Sequence, residues 1–167
     1  IDPEGAAITY DYVWTQNGGS TTYSSGNVPS SATTKNDIWM VRVTPSDGSI
    51  NGPAVEESLV IQNTPPTVSS IIITPSTAVS ATTTLTCTYL LSDPDEIPTG
   101  SISWSNQTTG VVLGYGATLT LTPTIASTND WIECEVTATD GDMATGTGTL
   151  EVQVTNADPT ISQVTIS

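Results

Sequence analysis

The stretch Asn129-Asp130-Trp131-Ile132-Glu133-Cys134-Glu135-Val136-Thr137-Ala138-Thr139-Asp140-Gly141 decides the fold. Its side chains alternate so that Ile132, Cys134 and Val136 share one face, the period-two signature of a half-buried β-strand, and it closes on an Asp-Gly turn signal. The same pattern stands earlier in the chain as Asn36-Asp37-Ile38-Trp39-Met40-Val41-Arg42-Val43-Thr44-Pro45-Ser46-Asp47-Gly48, at a constant offset of 93. A fixed offset held over a whole strand and turn marks an internal repeat.

Matches on either side bound the repeating unit. Asp2-Pro3-Glu4 falls on Asp93-Pro94-Asp95 and Trp14 on Trp104, with offsets of 91 and 90 that small loop-length differences absorb. Asn63-Thr64-Pro65-Pro66-Thr67-Val68 falls on Asn156-Ala157-Asp158-Pro159-Thr160-Ile161, again at 93. The expected organisation is therefore a unit over residues 1–63 lacking its first strands, a complete unit over 64–156, and a segment 157–167 that reads as the first strand of a further unit or as a donated strand. An incomplete sandwich exposes core and strand edges, so strands from a preceding repeat or from a like subunit are the expected partners.

Within the complete unit, strands are expected at Val68–Thr74, Thr84–Tyr89 and Ile102–Trp104, then around Leu119 and Leu121, at Ile132–Val136 and at Leu150–Val154, each with alternate residues turned inward. Short strands set apart by Gly, Pro, Asn and Asp turns predict an all-β fold of tandem Greek-key sandwiches, with Trp14, Trp39 and Trp104 in the cores. No window carries a helical apolar period.

Seventeen acidic residues stand against Lys35 and Arg42, with no histidine, for a formal net charge of −15. Such a polyanion repels phosphate backbones and anionic lipid, which excludes nucleic acid as a partner. No apolar run is long enough to span a bilayer, so direct membrane insertion is not expected either. The common hydrolytic triads need histidine, and no aromatic-lined carboxylate pair is indicated, so the chain does not read as an enzyme.

The acids concentrate in turns. Asn63 lies in the linker, Asp93, Asp95 and Glu96 follow the second strand, and Asp140 and Asp142 follow the strand of Cys134; Asp2, Glu4 and Asp47 are the first-unit equivalents. Oxygen ligands in adaptable loops suit calcium, whereas zinc would call for His or Cys. Asp-Pro-Asp and Thr-Asp-Gly are also ordinary turn sequences in which Asp caps its own backbone.

An acidic Asp-Pro loop, a Trp strand, the run Trp39-x-Val41-x-Val43-Thr44-Pro45-x-Asp47-Gly48 and an Asn-x-x-Pro junction resemble the tandem immunoglobulin-like, cadherin-like and PKD-like repeats of large prokaryotic cell-surface proteins. The resemblance implies immunoglobulin-like sandwiches acting as a stalk, adhesin shaft or surface filament, extracellular or on the cell surface, with calcium at the junctions. Asn63, Asp93, Asp95 and Asp140 match the positions of interdomain calcium ligands. The order Cys87, Trp104, Cys134 looks like the immunoglobulin core, in which an inter-sheet disulfide lies against an indole; the alternative is two buried thiols. The first unit has Val41 in place of Cys134. The multi-acid linker of cadherins is missing here.

A carbohydrate-binding β-sandwich module of a secreted protein is the competing expectation. Alternation turns Trp131 to the face opposite Ile132 and Cys134, which makes it the candidate contact residue. Asn106-Gln107-Thr108 is a glycosylation sequon and predicts an acceptor on a loop.

Overall fold

The computed structural model describes residues 5–156; Asp2, Glu4 and the 157–167 segment lie outside them. The chain divides into two compact units, Ile1–Asn63 and Thr64–Ser167.

The first unit is built on one antiparallel sheet. Strand β1 (Thr9–Gln16) turns through Asn17-Gly18 into β2 (Gly19–Ser20); β3 (Ile38–Ser46) and β4 (Val55–Val60) follow, in the order β2-β1-β3-β4. Asn17 and Gly18 have φ of 52° and 80°, the two left-handed residues that a two-residue hairpin matching strand twist requires. A segment holding one 3-10 turn, Ser30–Ala32, lies between β2 and β3. It shields part of one sheet face: Tyr23 stands 5.9 Å from Trp39, Trp14 meets Trp39 edge to face at 6.2 Å, and the Trp14 indole donates to the Ser25 carbonyl at 2.8 Å. Trp39 is fully shielded, while Trp14 is only partly covered, so the expected core position holds for Trp39 and is incomplete for Trp14. The reason is that the first unit has only this one sheet among the described residues.

The second unit is a two-sheet sandwich. Strands β5 (Thr67–Thr74), β6 (Thr84–Ser92) and β9 (Thr118–Thr120) form one sheet in the order β5-β6-β9. Strands β7 (Thr99–Asn106), β8 (Val111–Tyr115), β10 (Trp131–Thr139) and β11 (Thr145–Gln153) form the other, in the order β11-β10-β7-β8. The chain crosses between sheets after β6, β8 and β9, the Greek-key pattern that the alternation predicts, and every pairing is antiparallel. A bulge between Ser69 and Ile72, with Ser70 at φ 51°, bends β5.

Leu85, Trp104, Ile132, Val136 and Val154 are wholly buried between these sheets, and burial at this level stabilises by ~2 kcal/mol per large apolar side chain. Cys87 on β6 and Cys134 on β10 form a disulfide across the sheets, with Cα atoms 6.5 Å apart. Trp104 lies on β7 as the direct ladder partner of Cys134, its indole N–H donating to the Gly116 carbonyl at 2.9 Å. Leu150 departs from expectation: it faces the core side opposite Cys134, but on the edge strand β11 it remains 39% exposed.

Three glycines set how closely strands approach. A Cβ at Gly146 would run into the Pro66 carbonyl oxygen, one at Gly148 would lie 2.8 Å from Ile71, and one at Gly100 2.5 Å from the Tyr89 hydroxyl. Strands β5 and β6 therefore ride directly over bare backbone of β11 and β7.

Candidate functional sites

At one end of the second unit the β6–β7 and β10–β11 loops bring their acids together, and each carboxylate with a described partner answers backbone N–H groups. Asp93 Oδ1 accepts from the amides of Asp95 at 2.7 Å and Glu96 at 3.3 Å, an Asx turn that the Asp-Pro-Asp sequence favours. Asp95 Oδ2 accepts from the Thr64 amide at 2.7 Å. Glu96 reaches across to the other loop, where its Oε1 accepts from the Gly141 amide at 3.0 Å, and a Cβ on Gly141 would collide with that carboxylate. Asp140 is buried, with Oδ1 accepting from the Ala144 amide at 2.8 Å across the turn in which Met143 takes φ 66°.

This is a turn-capping arrangement: Asp93, Asp95, Glu96 and Asp140, which would repel one another, are each held by a backbone N–H dipole. Among the described residues no three acids converge closely enough to form a metal-holding group. Asp93 Oδ2, unlike these capped oxygens, is buried with no hydrogen-bond partner. Asn63 belongs to the first unit and Asp93, Asp95, Glu96, Asp140 and Asp142 to the second. In the first unit, Asp47 caps its own turn, Oδ1 accepting from Ser49 and Ile50 at 2.7 Å each; the Ile50 and then the Ser49 amide hold its carboxyl below the usual range.

The outer face of the β10 sheet is the second candidate. Trp131 stands on it 43% exposed, directly across the ladder from Gln153. Next along the face, Glu133 accepts from the Gln107 amide and, at 3.5 Å, from the Ser105 hydroxyl, and Glu135 accepts from Ser103 at 3.2 Å. Glu133 is also the ladder partner of Glu151. Lys35 and Arg42 both lie in the first unit, so the second has no basic side chain to answer these carboxylates. Tyr115, at the end of β8, is 78% exposed and borders an open groove of about 530 Å³ that Tyr89 and Gly100 also line.

The sequon asparagine requires a correction. Asn106 ends strand β7 instead of lying on a loop, and it is 1% exposed. Its Nδ2, the atom a glycan would take, donates to Asp130 Oδ2 at 2.8 Å and to the Ile125 carbonyl at 3.2 Å, while Oδ1 caps the Thr108 and Thr109 amides. A three-residue motif carries no information about burial, and here the amide is a structural clasp.

That clasp has a counterpart in the first unit which residue typing alone did not single out. Asp37 accepts from Gln16 at 2.7 Å, Asn17 at 2.8 Å and the Thr34 amide at 2.9 Å; Asp130 accepts from Asn106 and the Ser127 amide. Asn36 and Asn129 precede them at φ 71° and 75°. The repeated Asn-Asp pair was the available signal, since two left-handed residues each leading into a capping carboxylate point to one conserved turn geometry within the chain.

No family model matches the sequence, and no curated protein matches it. Among solved structures the chain is similar to the three N-terminal domains of the bacteriophage RB49 highly immunogenic outer capsid protein, with 16% identity over 93% of this chain and 50% of that one, at a TM-score of 0.41. It spans half the length of that structure. It is also similar to fibronectin(III)-like modules of Clostridium thermocellum CbhA, with 18% identity, 87% and 77% coverage and a TM-score of 0.39. The amphioxus IgVJ-C2 molecule gives 19% identity, 93% and 92% coverage and a TM-score of 0.34.

Proposed function

We propose that this chain is a structural or adhesive stretch of an extracellular repeat protein, in which like immunoglobulin-like units are strung into a stalk, adhesin shaft or surface filament, with neighbouring repeats as its partners and no catalysis. The observation that carries this reading is the shared ladder register of the two units. Trp14 pairs with Val41 and Val41 with Glu57, as Trp104 pairs with Cys134 and Cys134 with Leu150. Duplication of a scaffold without duplication of any reactive group favours a mechanical or spacing role. The buried disulfide favours an oxidising compartment.

Antibody against residues 64–156, applied to intact and to permeabilised source cells, tests the location. Labelling of intact cells is expected. Labelling only after permeabilisation would overturn the reading.

Calcium at the acidic loops belongs to the same proposal, and the buried, unanswered Oδ2 of Asp93 is what supports it. The expected result is a melting temperature several degrees higher in calcium than in EDTA, lost in Asp93→Ala. An unchanged melting curve leaves the carboxylates as turn caps alone.

The carbohydrate-binding reading is supported by the half-exposed Trp131 among amide and carboxylate side chains. Titration with soluble polysaccharides should then give binding that Trp131→Ala abolishes.

A further inference from the structure

The sandwich of the second unit is open at one corner. Strand β6 runs to Ser92, but β9 accompanies it only over Thr84–Thr86, and β8 accompanies β7 only from Ser103 onward. The second half of β6 and the first residues of β7 thus lack a paired strand on that side among the described residues. Between these two edges lies the groove of about 530 Å³, whose walls include Tyr89, Gly100, Ile102, Tyr115 and Gly116 and carry no charged side chain.

Neighbouring hydrogen bonds fix which backbone groups face this gap. Cys87 donates toward β9, to the Ala117 carbonyl at 2.8 Å, and residues two apart on a strand turn their N–H and C=O to the same side. Tyr89 and Leu91 therefore direct theirs to the side where β9 has ended. From the facing sheet, Ile102 accepts from Gly116 at 3.0 Å, so Gly100 directs its backbone groups there too. An exposed edge is commonly blunted by charge or proline, and β6 carries neither. Past Ser92, however, the chain enters Asp93, Asp95 and Glu96, and the second unit has no basic side chain of its own.

We propose that this corner seats an extended peptide of another protein, added antiparallel to β6 in line with β9 and basic at its N-terminal end. Backbone pairing with Tyr89 and Leu91 supplies the hold, and alternate side chains, small and apolar, enter the groove beside Gly100 and Tyr115. Antiparallel addition sets the N-terminal end of the peptide at Ser92, next to the acidic loop, so charge selects both the partner and its direction. A second copy of this chain does not fit that description. Its basic residues are Lys35 and Arg42; Arg42 is paired on both sides within β3, and Lys35 runs straight into the left-handed Asn36.

The test uses the full 167-residue chain, labelled with nitrogen-15, and end-blocked synthetic peptides. The probe is Lys-Lys-Val-Thr-Val-Thr; one control replaces both lysines by glutamate, and another carries N-methyl groups on both valines, which deletes the backbone bonds without touching the protein. The probe is expected to shift the amide signals of Tyr89 and Leu91 and to slow their hydrogen exchange. It should bind about tenfold more tightly than the glutamate control, a preference that shrinks as salt is added. N-methylation should abolish binding. Equal affinity for the two heads, binding undiminished by N-methylation, shifts centred on a different strand edge, or no binding of the probe would each overturn the proposal.

Discussion

Trp104 and Cys134 are direct partners on adjacent strands β7 and β10, which sets a wholly buried indole beside the half of the disulfide anchored in its own sheet. The other half, Cys87, belongs to the facing sheet, so one covalent bond closes a loop of 47 residues through the centre of the core. Reduction, or Cys87→Ala with Cys134→Ala, should cost the second unit about 3 to 4 kcal/mol by loop entropy. Chemical denaturation with and without reductant measures this. Under a pulling force the bond also withholds roughly 160 Å of extension, at about 3.4 Å per enclosed residue, which force spectroscopy reads as a lengthened unfolding step after reduction.

The approach of Pro66 to Gly146 makes a second test. Gly146→Ala drives a methyl into a backbone carbonyl, which cannot swing away as a side-chain tip would, and should destabilise the second unit by about 1 to 3 kcal/mol. Gly110→Ala is the control: nothing lies within 4 Å, but its φ of 72° imposes about 1 kcal/mol of strain. Denaturant midpoints of the two variants should fall in that order.

Glu133 and Glu151 face each other across the β10–β11 ladder in a unit without any basic side chain. Glu151→Lys turns a like-charge pair into an opposite one and should stabilise by about 0.5 kcal/mol, an advantage that shrinks as salt is added. A thermal melt at two ionic strengths checks both the sign and the screening.

Asp37 supplies a pH dependence. The Asn17 amide foremost, and then the Thr34 amide and Gln16, outweigh the opposing effect of burial and hold its carboxyl below the ordinary value. A carboxyl lowered by folding stabilises fully above its unfolded value, and that contribution is lost as pH falls through the folded one. The stability advantage of the native chain over Asp37→Asn should therefore be constant near neutrality and shrink from about pH 4 downward, as acid titration followed by tryptophan fluorescence would show.

Much of this architecture is legible in the residues because period-two alternation and burial are the same fact seen twice: Ile132, Cys134 and Val136 alternate and all lie in the core. The exceptions lie where a side chain's fate depends on what faces it. Leu150 continues the alternation but sits at a sheet edge, Trp14 is only partly covered, and Asn106 matches a surface motif while serving as a buried clasp. The acidic loops show the same division. Their clustering follows from topology, whereas the assignment of individual oxygens to backbone amides depends on loop conformations that residue type leaves open.

The placement of the two basic residues has a consequence for proteolysis. An endopeptidase that cuts after Lys or Arg finds its sites at Lys35 and Arg42, and Arg42 lies in mid-strand, paired to Val13 on one side and Glu56 on the other. Beyond Arg42 these residues offer such an enzyme no cleavage site, folded or unfolded, so a cut at Arg42 requires the first sheet to open and then leaves residues 43–167 in one piece.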